Sequence, residues 1–259
     1  MKTFNILAIG DIVGPETVGY LKERLWKYRK ENNIALTIVN AENACVGNGL
    51  DTVSADTLLT CGADVITSGN HIWRKRDIRR YLDETPAVLR PLNYPSDAPG
   101  NGYIKYSAEG KIFLVANVLG IIYLDPLECP FLSVERMLEK ENGNYDYAVL
   151  DIHAEATSEK IALARYFDGK INIIFGTHTH VATADEQILT NGTGYISDIG
   201  MSGPVNSVLG IKTECIIEKL KGKLPVKFDI AEGEIEVSGA LFTLDGDSGR
   251  TAAVQRIKI

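Results

Sequence analysis

The chain has few of the features that would place it outside the ordinary enzymes. It has no apolar run approaching the roughly 20 residues that cross a bilayer. Its four cysteines, Cys45, Cys61, Cys129 and Cys215, are scattered with no CxxC pair. Without a secretion signal, that spacing disfavours a disulfide framework. Cys61 reads as a small buried hydrophobe and the others as incidental thiols. Positive charge is in deficit, with 27 Lys and Arg against 34 Asp and Glu, a formal net charge of −7. Affinity for a phosphate backbone comes mostly from Lys and Arg, so an extended nucleic-acid surface is disfavoured. A small anionic substrate remains compatible if a bound metal supplies the local positive charge. There is no repeat, low-complexity tract or charge block. Hydrophobic residues at 45% and charged residues at 24% are those of a globular fold with a sizeable core.

The apolar stretch in MKTFNILAIGD stops at Asp11 with no small-residue cleavage site. It reads as a first buried strand and not as a signal peptide, which makes a cytoplasmic protein the expectation. Further on, strands and helices alternate. Strands are expected at Asn5–Ile9, Leu36–Val39, Asp64–Thr67, Lys111–Val118, Tyr147–Ile152 and Ile171–Phe175. Helices are expected from Pro15, with Val18, Leu21, Leu25 and Tyr28 on one face, and at Thr52–Cys61, Lys75–Leu82, Ser133–Glu141 and Ser158–Phe167. Pro86–Gly102 is a proline-rich loop. After His180 the pattern becomes β-rich, with strands expected at Gln187–Leu189, Gly194–Ser197, Val226–Phe228, Glu234–Thr243 and Ala252–Ile257. One α/β domain over residues 1–259 is the natural organisation.

The polar residues carry the chemistry. Ligands of open α/β sheets bind beyond the carboxyl ends of the strands. Asp11 follows the first strand, Glu42 and Asn43 the second, and Asn70 and His71 the third. His153 ends the strand in DIHAE, and His178 and His180 follow the next in FGTHTH. Five strand ends thus deliver Asp, Glu, Asn or His to one sheet edge. Each residue alone has a plain reading as a hydrogen-bonded loop residue, a turn or a helix cap. Their coincidence does not, because all four histidines of the chain fall in these loops. Carboxylate, amide oxygen and imidazole suit Mn, Fe or Zn and disfavour Cu(I) or an iron–sulfur cluster. The donors are too many for one ion. They suit two ions about 3.5–4 Å apart that share a carboxylate, an arrangement that polarises a phosphoryl group.

GDIVG, NAENACVGNGL, TSGNHIW, DIHAEATSEK, GTHTHVATADEQIL and SDIGMSGP together resemble the YmdB-like family of metallophosphoesterases, a bacterial branch of the calcineurin-like superfamily. GNH and GTHTH mark the superfamily; NAEN, HAEATSEK and SDIGMSGP mark the branch. The resemblance runs from about residue 3 to the C-terminus. It implies a calcineurin-like four-layer α/β/β/α sandwich with two central mixed sheets. It implies that Asp11, Glu42, Asn43 and His180 hold one divalent ion and that Glu42, Asn70, His153 and His178 hold the other, with Glu42 bridging. Iron or manganese is the expected metal, with zinc next. His71 matches the histidine that protonates the leaving oxygen or steadies the phosphate.

The chain departs from the family in places. The first motif of the superfamily is Asp-x-His, and here the third position is Val13. Ile72, Trp73 and Arg74 stand where Thr-Trp-Asp is common, and Val205 and Asn206 where an aromatic and an acid are expected. The last two departures bear on substrate choice and not on the reaction class. Two further segments invite a role beside a plainer one. Gly200–Pro204 could form an amide nest or a strand-to-helix turn. Asn93, Tyr94 and Tyr103 could stack on a base, although a loop anchored on the core is favoured.

The expected function is a dinuclear metal-dependent phosphodiesterase acting on cyclic nucleotides such as 2′,3′-cyclic nucleotides. Hydroxide held between the ions attacks phosphorus in line, and His71 is the proton donor. The alternatives are a phosphomonoesterase or nucleotidase on the same site, and a nucleotide-sensing regulatory protein without turnover. The expected partner is a small phosphodiester, with no membrane; a homo-oligomer is left open.

Overall fold

The computed structural model describes residues 2–259. In chain order the elements are β1 (Thr3–Ile9), β2 (Asp11–Ile12), α1 (Pro15–Glu31), β3 (Ile34–Asn40), α2 (Thr52–Thr60) and β4 (Val65–Thr67). A 3₁₀ turn (Ile72–Arg74) precedes α3 (Ile78–Glu84), β5 (Tyr103–Ala108), β6 (Lys111–Leu119), α4 (Pro130–Lys140) and β7 (Tyr147–His153). Then come α5 (Thr157–Tyr166), β8 (Ile173–Thr177), β9 (Gln187–Ile188), β10 (Gly194–Ile196) and β11 (Met201–Pro204). The chain finishes with α6 (Thr213–Gly222), β12 (Ile235–Glu236), β13 (Ser238–Asp245) and β14 (Thr251–Lys258).

Two large sheets face each other. The first has the order β14-β13-β1-β3-β4 and the second β5-β6-β7-β8-β10-β9. Both are mixed. β1 runs parallel to β3 and antiparallel to β13, while β6, β7 and β8 are parallel and β5 is antiparallel. The two-residue period of a strand sorts the side chains into layers. Phe4, Ile6 and Ala8 of β1 point between the sheets, where Phe113, Val115, Val149, Phe175 and Phe242 meet them. Leu7 and Ile9 point the other way, into Leu21 and Leu25 of α1, Leu58 of α2 and Leu82 of α3. On the second sheet, Leu114, Ala116 and Val118 pack under α4 and α5 against Met137 and Leu163. The layers run helix, sheet, sheet, helix, the sandwich that the resemblance implies.

The helix starts follow local rules. Gly14, at φ 81°, precedes Pro15, whose fixed φ suits a first helical position. Asp51 caps α2 by accepting from the Ser54 amide at 2.8 Å. No helix among the described residues is long and apolar enough to cross a membrane.

Several expectations are corrected. The third helix begins at Ile78 and not at Lys75, because a 3₁₀ turn takes up Ile72–Arg74. Strand β5 was not foreseen. It joins β6 through Glu109 and Gly110, both at positive φ, in a two-residue hairpin lacking the usual Asn or Asp signal. The segment after His180 is not purely β, since Thr213–Gly222 is helical; none of its residues is buried, so no core-facing pattern marks it. Val226–Phe228 is not a strand and has no pairing partner there. Glu234–Thr243 is divided into β12 and β13 at Val237. Gly200–Pro204 forms neither a nest nor a turn into a helix. Met201–Pro204 is strand β11, whose first two residues pair in parallel with Asp11 and Ile12.

Candidate metal centre

The expected polar residues come together, although not at the edge of one sheet. β1, β3 and β4 of the first sheet bring Asp11, Glu42, Asn43, Asn70 and His71; β7 and β8 of the second bring His153, His178 and His180. The two sheets end their parallel strands at a common edge, and the donors meet across the gap. Local patterning could not show this, because the strands of the two halves never pair.

Glu42 is at the middle. Its Oε1 lies 3.2 Å from His153 Nε2, 3.2 Å from His71 Nδ1 and 3.0 Å from Asn43 Nδ2. His178 Nδ1 lies 3.0 Å from His153 Nε2, and donor atoms of Glu42, His153 and His178 all fall within 4.8 Å of one another. Asp11 and His180 form the other side, with His180 Nε2 3.8 Å from Asp11 Oδ1 and 3.3 Å from the Asn43 amide. Among the expected ligand residues, two buried oxygens accept no hydrogen bond from the protein, Asp11 Oδ1 and Asn70 Oδ1. Leaving such a group unpaired ordinarily costs about 1–3 kcal/mol. Oxygen and imidazole donors turned toward one another, with two oxygens unsatisfied, fit hard or borderline divalent cations. Gly69 leaves the room: a Cβ there would lie 2.2 Å from both Glu42 Oε2 and His153 Nε2.

Each imidazole is fixed through its other nitrogen, as metal-binding histidines are. His153 Nδ1 lies 2.8 Å from the Thr177 hydroxyl, which donates to Asp151 at 2.7 Å. Asp151 also accepts from Thr67 at 2.5 Å and Asn40 at 3.0 Å. His178 Nε2 meets the Glu155 carboxylate at 3.0 Å, and His180 Nδ1 faces the Leu209 carbonyl at 3.3 Å. His178 and His180 both have positive φ, 98° and 64°. Such backbones persist only where the surroundings enforce them. Thr179 between them does so, giving its amide at 3.1 Å and its hydroxyl at 2.8 Å to Asp198 Oδ2. The same oxygen takes Lys160 Nζ at 2.7 Å in an ion pair shut off from water. The branch motifs HAEATSEK and SDIGMSGP thus meet at the back of the GTHTH loop.

Residue chemistry alone missed these outer partners. Glu155, Asp151 and Thr177 sit within two residues of a predicted ligand, and that adjacency was the available signal. Asn40 is likewise two residues from Glu42, and Thr67, Lys160 and Asp198 stand in the TSGNHIW, HAEATSEK and SDIGMSGP motifs, which mark these segments but not the contacts their side chains make. The cysteine reading holds: Cys45 and Cys61 are buried, and burial pushes both thiols up to about 11. Asn93 is also an anchor, bonding the β6 end through Leu119 N and O, while Tyr103 bonds Glu141 and Tyr94 packs edge-on against Trp73. Val13, in place of the superfamily histidine, is buried and donates its amide to Ser202 O at 2.8 Å.

Protonation in the metal-free protein follows from burial and charge. Burial would raise the Glu42 carboxyl, but His153 and His71 hold it well below the usual range. Burial also opposes charge on His153. Glu42, Asp11 and Asp151 outweigh it and lift the ring to about 9. Burial and the neighbouring His153 push His178 down to about 3. Burial raises the Asp11 carboxyl, against the pull of His180 and His153. One proton therefore sits on His153 where a cation would otherwise balance Glu42.

A family model described as YmdB-like protein matches residues 7–257. The chain belongs to this family. Members are calcineurin-like metallophosphoesterases, which hydrolyse phosphoric esters, and the expectation drawn from the motifs is met. The chain is 42% identical over 254 residues to a 2′,3′-cyclic-nucleotide 2′-phosphodiesterase of Bacillus subtilis (strain 168), covering 98% of this chain and 96% of that one. The crystal structure of a hypothetical protein from Thermus thermophilus matches with a TM-score of 0.93 at 36% identity, over 99% of both chains. That of a novel phosphatase from Mycoplasma pneumoniae matches with a TM-score of 0.93 at 30% identity, over 100% of this chain and 94% of the other.

Gly69→Ala places a methyl group between Glu42 and His153. It should abolish tight metal binding, measured by competition with a chromophoric chelator, while the far-ultraviolet circular dichroism stays native. Retained affinity would contradict the close packing of this centre. The His153 proton gives a second test. At pH 7.5, below about 9, the ring is charged, so metal uptake must expel a proton and metal affinity must fall as the pH falls. Calorimetric heats of metal binding should then differ between buffers of different ionisation enthalpy. Equal heats would mean that no proton leaves.

Proposed function

We propose that the chain is a dinuclear metal-dependent phosphodiesterase that opens 2′,3′-cyclic nucleotides at the 2′ ester, leaving a nucleoside 3′-phosphate. It acts as one domain over residues 1–259 in the cytoplasm of a bacterium. The observation that carries the reading is the pair of unpartnered buried oxygens, Asp11 Oδ1 and Asn70 Oδ1, in a centre that also gathers Glu42 and three imidazoles. The name of the Bacillus subtilis relative supports the substrate class. Asp11, Glu42, Asn43 and His180 would hold one ion, and Glu42, Asn70, His153 and His178 the other. Iron or manganese suits this imidazole and carboxylate set, with zinc next. When bound, the two ions would neutralise charge on the phosphoryl oxygens and make a nucleophile available at neutral pH.

The protein's own part centres on His71 and Asn43. His71 Nδ1 lies 2.9 Å from one end of the Asn43 amide, and the other end lies beside Glu42 and His180. Turning the amide about its last torsion exchanges oxygen and nitrogen. With the oxygen toward His180 it can serve as a metal ligand. Its NH₂ then donates to His71 Nδ1, which leaves the ring proton on Nε2. His71 lines the cleft and is partly exposed, so Nε2–H is available to the departing ribose oxygen. One amide orientation thus serves both the ion and the proton donor.

His71→Ala tests this division of labour. It should keep its metal and lose about 10²–10⁴-fold in turnover of 2′,3′-cyclic AMP, whose alkoxide leaves only with a proton. On bis(p-nitrophenyl) phosphate, whose phenolate leaves unaided, the loss should be under about tenfold. Equal losses on both substrates would assign His71 to phosphate binding, and loss of metal would make it a ligand.

A further inference from the structure

The cleft over the metal centre is larger than a phosphoryl group requires. It encloses about 780 Å³, within the range of small-molecule sites. Glu42, Asn43, His71, His178 and His180 form one side. The opposite side is apolar, made by Leu209, Ile211, Ile216, Leu220, Phe228 and Ile230. All six come from one excursion, residues 205–234, that leaves β11 and returns to its partner β12. Its neck is fastened by Val205 N to Glu234 O, Ala231 N to Gly210 O and Lys212 N to Asp229 O, each 2.9 Å. At its outer end α6 buries none of its residues. Ile216 and Leu220, one helical turn apart, both line the cleft.

Charge decides what this wall can take. Arg74 is the one cation lining the cleft among the described residues, and Glu42 and Glu155 are anionic. Bound cations would outweigh Glu42 and Glu155, so a phosphate goes to that side. The six apolar side chains offer no donor to an anion and favour a flat, uncharged group, while an ammonium beside them, that of Lys219, sits over the Phe228 ring. Phe228 is available for stacking, 39% exposed, with Lys219 Nζ 4.6 Å from its ring centre. The wall is also tied to the chemistry. Leu209, within the excursion, accepts from His180 Nδ1 through its carbonyl.

We infer that residues 205–234 form a nucleobase subsite, in which Phe228, Leu220 and Ile216 pack on the base while the ribose phosphate reaches the metal centre. This rests on the nucleotide reading of the substrate. It makes the excursion the specificity element of the site.

The test compares ligands that share a phosphate and differ in the base. Calorimetry on the manganese-loaded protein should show adenosine 3′-monophosphate binding about tenfold to a hundredfold more tightly than ribose 3-phosphate, the range that stacking on a protein supplies. Phe228→Ala and Leu220→Ala should bring that ratio toward one. Ile217→Ala, on the same helix but away from the cleft, should leave it unchanged. A ratio near one in the native protein, or an unchanged ratio in both cleft variants, would overturn the subsite. A particle mass in solution that falls in Leu220→Glu, with the ratio intact, would assign the wall to a second copy of the chain and overturn it likewise. A selective ratio without hydrolysis of 2′,3′-cyclic AMP would overturn the catalytic reading and uphold the subsite.

Discussion

The structure is organised around a desolvated cluster of charge. Asp11, Glu42 and His153 are shut off from water, and His178 and His180 beside them are partly exposed to the cleft. Burying two carboxylates beside each other is unfavourable, and burying oxygens with no donor adds to the cost. A lone proton on His153 offsets only part of this. Divalent cations would satisfy the whole set, because each offers several coordination positions to donors already held at short range. In physical terms, the fold holds these donors in an arrangement that is costly without a cation among them.

Rigidity comes from behind the donors. Asp151 gathers Thr67, Asn40 and Thr177 and passes their order to His153. Lys160 and Asp198 hold Thr179, and through it two histidines whose backbone φ would otherwise relax. These contacts bridge the two sheets: Asn40 and Thr67 end strands of the first, Asp151 and Thr177 belong to the second. The inter-sheet packing of Phe4, Phe113 and Phe242 and the polar network at the strand ends therefore depend on one another. A shift of one sheet on the other would move His153 and His178 away from Glu42. The excursion of residues 205–234 reaches the same centre from a third direction through His180 and Leu209.

Much of this was legible from residues alone, for definite reasons. Strands such as Ile34–Asn40 and Tyr147–His153 are buried at every position, so they read as predominantly apolar runs that end in polar residues. The histidines were legible because none lies anywhere else. Local pattern failed where structure depends on distant partners. Strand β5 is an edge strand with no buried position, and α6 is a helix whose apolar residues face a cleft and solvent. Neither shows a core-facing period. Glu155 is half exposed and looked like any surface acid until His178 was placed beside it. The convergence of two sheets, in place of a single edge, depended on pairings such as β1 with β13 that join the two ends of the chain.

The central claim is that these strand ends form a site for two ions sharing Glu42. It is tested most directly by counting metal. Protein purified without a chelating resin, loaded with manganese and dialysed against metal-depleted buffer, should hold two equivalents per chain by elemental analysis. One equivalent would contradict the shared site, and none would contradict the metal centre itself.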